Sequence, residues 1–254
     1  IMIKKRRYLN SGLKRIECRL KDVDLQKVAA YGSPILNAWR AKPVETLKSA
    51  FAEAQEDLIA RTALFFPPRP GEFWAMNYGG WEKNEEDPTG QTYFILNNQT
   101  ENKQKTRPDR VVPATYIAEL ENVWSLRRAA FRSSGDPDNV RSFREPMRGA
   151  GVAMWVNPKT GTRISTNNIN QALRRALLRI GIDSERAQNA TLYWLRKAHQ
   201  CFCRNQAGGG GVGDKFISQQ AGQSEAVMRE VYDGVEVGAL AKHLSQHLWE
   251  PLGV

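Results

Sequence analysis

Apolar residues that recur at intervals of three and four positions constrain the fold of this chain more than any other feature. Such spacing places side chains on one face of an α-helix, where they pack against neighbouring elements. Two stretches show it: Val44, Leu47, Phe51, Ala54 and Leu58 form the first, and Ile169, Leu173, Ala176, Leu177 and Ile180 form the second. We therefore expect a mainly helical chain with at least two long, buried helix faces.

Residues that begin and end helices frame these stretches. Pro67-Pro68 ends the first region, because proline interrupts the helical hydrogen-bond pattern. Ser165-Thr166 supplies an N-cap for the second helix, and Gly181 is the residue at which it ends. Two further helices are predicted, over residues 191–204 and 236–248.

One block of the chain has β-strand character instead. The run from Thr92 to Leu96 is rich in strand-forming residues, and Arg110–Pro113 is interpreted as its returning partner. The segment between them is polar and charged, which predicts a hairpin with a charged tip. The fold class is therefore α+β, mainly helical, with a small antiparallel β-sheet or hairpin.

A break at Gly32-Ser33-Pro34 precedes the helical pattern that begins at Pro43, so the chain is predicted to consist of two parts of unequal size. Residues 1–44 are predicted to be a basic N-terminal arm or the remnant of a second domain. Residues 45–254 are predicted to form the main domain.

The charge balance favours a polyanionic partner. The formal net charge is +10, and the excess lies in residues 1–50 (net +8) and 151–200 (net +6). Nucleic acid is the usual partner of such a chain, and a solvated surface is the alternative. No apolar run approaches the roughly 18–20 residues of a membrane helix, and no secretory signal is recognised. The three cysteines fit a reducing compartment.

Common catalytic and metal-binding motifs fail on inspection. Gly208–Gly213 has glycines spaced as in a phosphate-binding loop, but the lysine and hydroxyl residue do not follow in the required order. His243 and His247 lie four apart without the glutamate that zinc proteases place between them. No serine nucleophile elbow stands out either. We therefore expect no metal and no cofactor.

One ordered set of residues does resemble a known site, that of the tyrosine recombinases, the family of phage integrases and Xer-like enzymes. The resemblance runs from about residue 45 to the C-terminus. It is carried by Arg69-Pro70-Gly71-Glu72, by the segment Lys105–Pro113, by Tyr193–Lys197, and by Gly222-Gln223-Ser224 with Tyr232 ten residues after the glycine. It implies the recombinase catalytic-domain fold, and it leaves residues 1–44 as either a basic arm or what remains of the family's core-binding domain.

The resemblance implies a role for each matching residue. Tyr232 corresponds to the nucleophile, Arg69 and Arg196 to the two catalytic arginines, and Glu72 to the carboxylate that holds Arg69. Lys105 corresponds to the catalytic lysine, with Lys103 as the alternative. Two positions depart from the family pattern. Tyr193 stands where the family usually has histidine, and Gln223 stands where it usually has histidine or tryptophan. We interpret both as hydrogen-bonding members of the site that have lost acid–base chemistry.

These roles imply a DNA strand transferase that needs no metal and forms a covalent 3′-phosphotyrosine intermediate. Its partner is double-stranded DNA, on which four copies of the chain are expected to assemble. Phosphate contacts are predicted from two basic clusters: Lys4, Lys5, Arg6 and Arg7 in the arm, and Arg174, Arg175 and Arg179 with the nearby Arg186.

The sequence leaves alternatives within and outside this class. Tyr193 also fits a telomere resolvase or a type IB topoisomerase-like strand transferase. Tyr193 and Gln223 together also fit a catalytically inactive DNA-binding protein. A recombinase of this kind is expected in the cytoplasm of a bacterial or archaeal cell, associated with the nucleoid and encoded by the host or by a phage.

Overall fold

Helices dominate the structure, a computed structural model that describes residues 20–65, 70–76, 78, 81–83, 85, 87, 92–95, 110–132, 153–196 and 198. The helices are α1 (Asp22–Ala30), α2 (Pro34–Ala38), α3 (Leu47–Phe65), α4 (Pro70–Ala75), α5 (Ala114–Arg132), α6 (Thr166–Arg179) and α7 (Ser184–Asn189). An eighth, α8, includes residues 192–196 and 198. The strands are β1 (Trp81–Lys83), β2 (Thr92–Ile95) and β3 (Arg110–Pro113). The predicted helix 236–248 and the glycines of Gly208–Gly213 lie outside the described residues.

Helix α3 is the centre of the core and packs against both α5 and α6. The side chains predicted to be buried on it, Leu47, Phe51, Ala54 and Leu58, are buried. Phe51 meets Phe131 of α5 edge to face, with ring centroids 5.8 Å apart. The prediction for Val44 is wrong, because this residue lies in a separate 3₁₀ turn, Val44–Thr46, and is 58% exposed.

The described part of the predicted N-terminal arm contributes to the same core. Leu25 and Val28 of α1 are fully buried, and Ile35 and Leu36 of α2 are buried as well. The Leu36 carbonyl accepts a hydrogen bond from the side-chain amide of Asn122 in α5, at 3.0 Å. Residues 20–44 are therefore packed onto the main domain, while residues 1–19 lie outside the described residues and the predicted boundary stays a prediction.

Strands β1, β2 and β3 form an antiparallel sheet in chain order. Strand β2 pairs with β3 so that Tyr93 lies opposite Val112, and β1 pairs with the other edge of β2. The two strands predicted to form the hairpin are thus neighbours in the sheet. The predicted charged tip, residues 97–109, lies outside the described residues.

Helix α6 begins and ends at the predicted residues. The Ser165 hydroxyl accepts a hydrogen bond from the Asn168 backbone N–H at 3.3 Å, which caps the first turn. At the other end Gly181 adopts a φ of 84°. The backbone N–H groups of Gly181 and Ile182 then bond the carbonyls of Leu178 and Leu177, at 3.1 and 3.0 Å. All of the predicted apolar stripe is buried except Ile180, which is partly buried.

A short two-stranded turn precedes α6 and connects it with α3 and α4. Val156 and Arg163 form an antiparallel bridge across this turn. Both backbone polar groups of Val156 also bond the side-chain amide of Gln55 in α3, each at 2.9 Å. The Trp155 ring stacks on Phe73 of α4 at 4.9 Å. In the part of the chain described here, no helix combines the length and apolar character that crossing a bilayer requires.

Candidate functional site

Two of the six predicted catalytic residues, Tyr193 and Arg196, lie within the described part of the chain, and both are on α8. Thr191, where the sequence predicts this helix to begin, caps it: its hydroxyl accepts from the Trp194 N–H at 3.3 Å, and its carbonyl accepts from the Leu195 N–H at 2.9 Å. The other four, Arg69, Lys105, Gln223 and Tyr232, lie outside the described residues. So does the arm cluster Lys4, Lys5, Arg6 and Arg7. Glu72 is described only as a backbone position of α4.

Tyr193 and Arg196 are three positions apart on α8 but have opposite environments. Tyr193 is 49% exposed, and its ring contacts Trp194 edge to face at 5.6 Å. Arg196 is only 8% exposed. Arginine is seldom buried to this extent, and its five fixed donors suit bidentate binding of phosphate oxygens. The exposed phenol and the buried guanidinium are therefore presented one helical turn apart.

The start of α8 is fixed by side chains of α6. Asn170 accepts a hydrogen bond from the backbone N–H of Leu192, with its Oδ1 at 3.1 Å. Arg174 donates from Nε to the carbonyl oxygen of Ala190, also at 3.1 Å. Asn170 and Arg174 are four positions apart and so share one face of α6. The helix that carries Arg196 thus starts against a defined support.

Helix α6 is contacted at its N-terminal end by α4, which begins at Pro70, immediately after Arg69 in the sequence. The indole N–H of Trp74 donates to the Ile164 carbonyl at 2.6 Å, just before the N-cap of α6. Arg163 donates back to the Trp74 carbonyl at 2.6 Å. Asn170 lies four residues beyond Thr166, the first residue of α6, which is about 6 Å along the helix axis. Helix α6 therefore supports both the element that follows Arg69 and the element that carries Arg196.

Two of the predicted phosphate-binding arginines pair with acidic residues of α3. Arg175 contacts Glu56 Oε1 at 2.7 Å, and Arg179 contacts Glu56 Oε2 at 2.7 Å. Arg179 also contacts Oδ1 of Asp57, again at 2.7 Å. The Asp57 carboxylate is fully buried, and its other oxygen accepts a hydrogen bond from Ser33 Oγ at 2.6 Å. We name these five residues, Ser33, Glu56, Asp57, Arg175 and Arg179, the α3–α6 ion cluster.

The α3–α6 ion cluster shifts the pKa values of its buried members. Burial raises the pKa of the Asp57 carboxyl, and hydrogen bonds from Ser33 and Arg179 offset only part of that effect. Burial also opposes the charge of Arg179, but its bonds to Asp57 and Glu56 prevail and raise its pKa. Arg179 therefore stays charged, bound to two carboxylates.

The structure gives each predicted basic residue of α6 an intramolecular contact. Arg174 binds the end of α7, and Arg175 and Arg179 bind α3, while the nearby Arg186 pairs with the buried Asp24 at 2.9 Å. Phosphate binding by Arg174, Arg175 and Arg179 stays a prediction beside these contacts. Their partners were not recognised from the sequence. The signal available was a group of three acidic residues, Glu53, Glu56 and Asp57, near the middle of the predicted helix.

Within the described ranges, no group of three or more His, Cys, Asp or Glu side chains is arranged to hold a metal ion. In comparisons with protein-family models, with curated proteins and with solved structures, the chain gives no match. The sequence motifs and the local geometry of α4, α6 and α8 are therefore the features that indicate a function.

Proposed function

We propose that this chain is the catalytic domain of a site-specific DNA recombinase, an integrase or related enzyme of a mobile element or phage. The observation that carries the proposal is the order of its elements. Helix α4 begins directly after Arg69, the antiparallel strands β2 and β3 bracket Lys105, and α8 carries the buried Arg196. Contacts of α6 with both α4 and the start of α8 support a shared site for the two arginines.

The proposed reaction is a transesterification that conserves the phosphodiester bond energy. The Tyr232 phenol loses its proton to water, its oxygen attacks a backbone phosphorus to form a new O–P bond, and the bond from phosphorus to the 5′ oxygen breaks. Lys105 gives its proton to the leaving 5′ oxygen. Attack by a 5′ hydroxyl on the phosphotyrosine then reverses these steps and rejoins a strand.

Arg69 and Arg196 have the role of stabilising the transition state, in which negative charge grows on the non-bridging oxygens. A guanidinium suits this role because it is protonated at every physiological pH, and the buried Arg196 would act where water is largely excluded. Removing one such donor typically lowers the rate by about 10²–10³-fold. Tyr193 and Gln223 have the role of hydrogen-bond donors to the same phosphate. Double-stranded DNA is the proposed substrate, bound by four protomers in a bacterial or archaeal cytoplasm.

The experiment that tests the proposal is trapping of the covalent intermediate. The full chain is incubated with nicked suicide substrates that carry the ends of its own element, and the products are separated on a denaturing gel. Wild type is expected to give a protein–DNA adduct that Tyr232→Phe abolishes. Tyr193→Phe is the matched control, because it removes the hydroxyl of a tyrosine that is not the proposed nucleophile, and it should reduce the adduct without abolishing it.

The role of Lys105 has its own test. A substrate with sulfur in place of the 5′ bridging oxygen releases a thiolate that needs no proton. Lys105→Ala is therefore expected to recover cleavage on this substrate. Recovery by Lys103→Ala instead would transfer the role to Lys103, and equal defects on both substrates would remove Lys105 from the proton-donor role.

A second candidate function is DNA binding without catalysis. It is favoured by the absence of histidine from both motif positions, where Tyr193 and Gln223 stand. Retarded mobility of DNA with no covalent adduct on any end sequence would support it. An adduct with hairpin ends, or simple relaxation of supercoils, would instead indicate a telomere resolvase or a type IB topoisomerase-like enzyme.

A further inference from the structure

The junction between α7 and α8 is only two residues long, and α6 binds it on both sides. Ala190, at the C-terminal end of α7, offers its carbonyl oxygen to Arg174 Nε. Leu192, the first helical residue of α8, offers its backbone N–H to Asn170 Oδ1. These are backbone groups that helix ends leave without an intrahelical partner. Arg174 therefore supplies the hydrogen-bond partner of a carbonyl at the end of α7, and Asn170 supplies that of an N–H at the start of α8.

These hydrogen bonds set the direction in which α8 leaves the junction. Thr191, between the two bonded residues, closes the first turn of α8. Arg196 is four residues beyond Leu192, about 6 Å along the helix axis. Because this distance is short, a displacement of the junction moves the Arg196 guanidinium by nearly the same amount. Asn170 and Arg174 are themselves held by α6, whose buried residues Ile169 and Leu173 are fully inside the core.

We infer that Asn170 and Arg174 are positioning residues that hold Arg196 in its site for the scissile phosphate. The inference rests on the proposed function and extends it, because it gives Arg174 a role through the protein backbone in place of direct contact with DNA. A catalytic group misplaced by about 1 Å can cost about 10²-fold in rate. Removal of either hydrogen bond should therefore lower the rate of the chemical step without lowering the affinity for DNA.

The test measures the rate of covalent adduct formation at saturating DNA for Asn170→Ala and Arg174→Ala in the full chain. Both are expected to be at least about tenfold slower than wild type. Asn170→Asp keeps an oxygen acceptor for the Leu192 N–H and should recover most of the rate, although its added negative charge disfavours DNA binding. Gln171→Ala, at an exposed neighbouring position of α6, is the control and should react at the wild-type rate.

A second substrate separates positioning from general loss of structure. A methylphosphonate at the scissile position lacks one of the two charged non-bridging oxygens, so a guanidinium contributes less to its cleavage. The defects of Arg174→Ala and Arg196→Ala should both shrink on this substrate. On the normal phosphate, the double variant should react no more slowly than Arg196→Ala alone, because both substitutions remove the same interaction.

Four outcomes would overturn this inference while the wild-type adduct still forms. They are wild-type rates in both alanine variants, equal defects on the two substrates, an Asn170→Asp variant as slow as Asn170→Ala, or a defect confined to DNA affinity and its salt dependence. A defect confined to DNA affinity and its salt dependence would indicate that Arg174 contacts a DNA phosphate. Absence of any adduct with wild type would be a different result, since it would remove the proposed function and the positioning role with it.

Discussion

Arg179 binds one oxygen of the fully buried Asp57 carboxylate with two nitrogen atoms, Nη2 at 2.7 Å and Nε at 3.2 Å. Replacing Arg179 by alanine leaves that carboxylate buried without its cation. Breaking a buried pair in this way typically costs about 3–5 kcal/mol. We expect Arg179→Ala to lower the free energy of unfolding by about 3 kcal/mol, the lower end of that range because part of the Arg179 side chain is exposed, as measured by urea denaturation.

The matched control for this prediction is Arg175→Ala. Arg175 also belongs to the α3–α6 ion cluster, where it pairs with Glu56, but its side chain is 55% exposed. Exposed ion pairs contribute about 0–1 kcal/mol, so the decrease in stability should be under about 1 kcal/mol. Equal decreases in the two variants would show that burial of Asp57 does not decide the stability of the cluster.

Asp57 should make the stability of the protein depend on pH. Burial raises the pKa of this carboxyl in the folded state, whereas in the unfolded chain it titrates near pH 4. Between these two pKa values the folded state holds a proton that the unfolded state has released, so the contribution of Asp57 to stability falls as the pH rises through the interval.

Comparison with Asp57→Asn isolates this effect from the other carboxyl groups. The difference in unfolding free energy, wild type minus variant, should decrease as the pH is raised from about 4 towards neutrality. Urea denaturation at a series of pH values measures it. A difference that instead increases over this range would mean that the bonds from Ser33 and Arg179 outweigh burial in setting the pKa.

Gly181 should tolerate substitution poorly, because its φ of 84° is a conformation that side-chain-bearing residues adopt at a cost. We expect Gly181→Ala to lower the free energy of unfolding by about 1 kcal/mol, as measured by thermal denaturation. Gly32→Ala is the control. A Cβ at Gly32 would meet no atom within 4 Å and its φ is not positive, so stability should stay equal or rise slightly. A destabilised Gly32→Ala would contradict this account of the two turns.

The sequence predicted those elements whose signals are local. Ser165 and Gly181 bound α6 because cap hydrogen bonds and a left-handed residue form within a few positions of each other in the chain. Leu47, Phe51 and Leu58 are buried as predicted, because residues three and four positions apart lie on the same face of a helix. Val44 continues the same spacing yet is exposed, since the 3₁₀ turn that contains it ends before α3 begins and rotates it off the stripe.

The candidate site was less predictable, because its contacts join residues far apart in the chain. The spacing of Arg175 and Arg179 placed both on one face of α6, but nothing in that spacing indicates Glu56 and Asp57 as the residues they meet, some 120 positions earlier. The sequence indicated no role for Asn170 for the same reason, since its partner is the backbone N–H of Leu192, which follows α7. A charged residue in a sequence indicates that a partner is needed, but it does not indicate which residue that partner is.

Salt dependence of DNA binding should distinguish the two basic clusters. The logarithm of the DNA-binding constant falls linearly with the logarithm of the salt concentration. Loss of one lysine or arginine contact to a phosphate makes this slope less steep by about 0.9. Changing Lys4, Lys5, Arg6 and Arg7 together to alanine should reduce it by up to about 3.6, if all four bind phosphates. Arg175→Gln should change it by much less than the amount for one phosphate, because the Glu56 carboxylate already neutralises that guanidinium.

Fluorescence anisotropy titrations of a labelled duplex over a range of potassium chloride concentrations measure both slopes. Equal decreases per residue in the two variants would mean that DNA displaces Glu56 from Arg175. The cost of that exchange is modest, because the Arg175 side chain is largely exposed, whereas the buried Asp57 would be left without a cation if Arg179 moved in the same way. A decrease for Arg175→Gln alone, with the arm variant unchanged, would place the DNA on α6 and remove the arm from the interface.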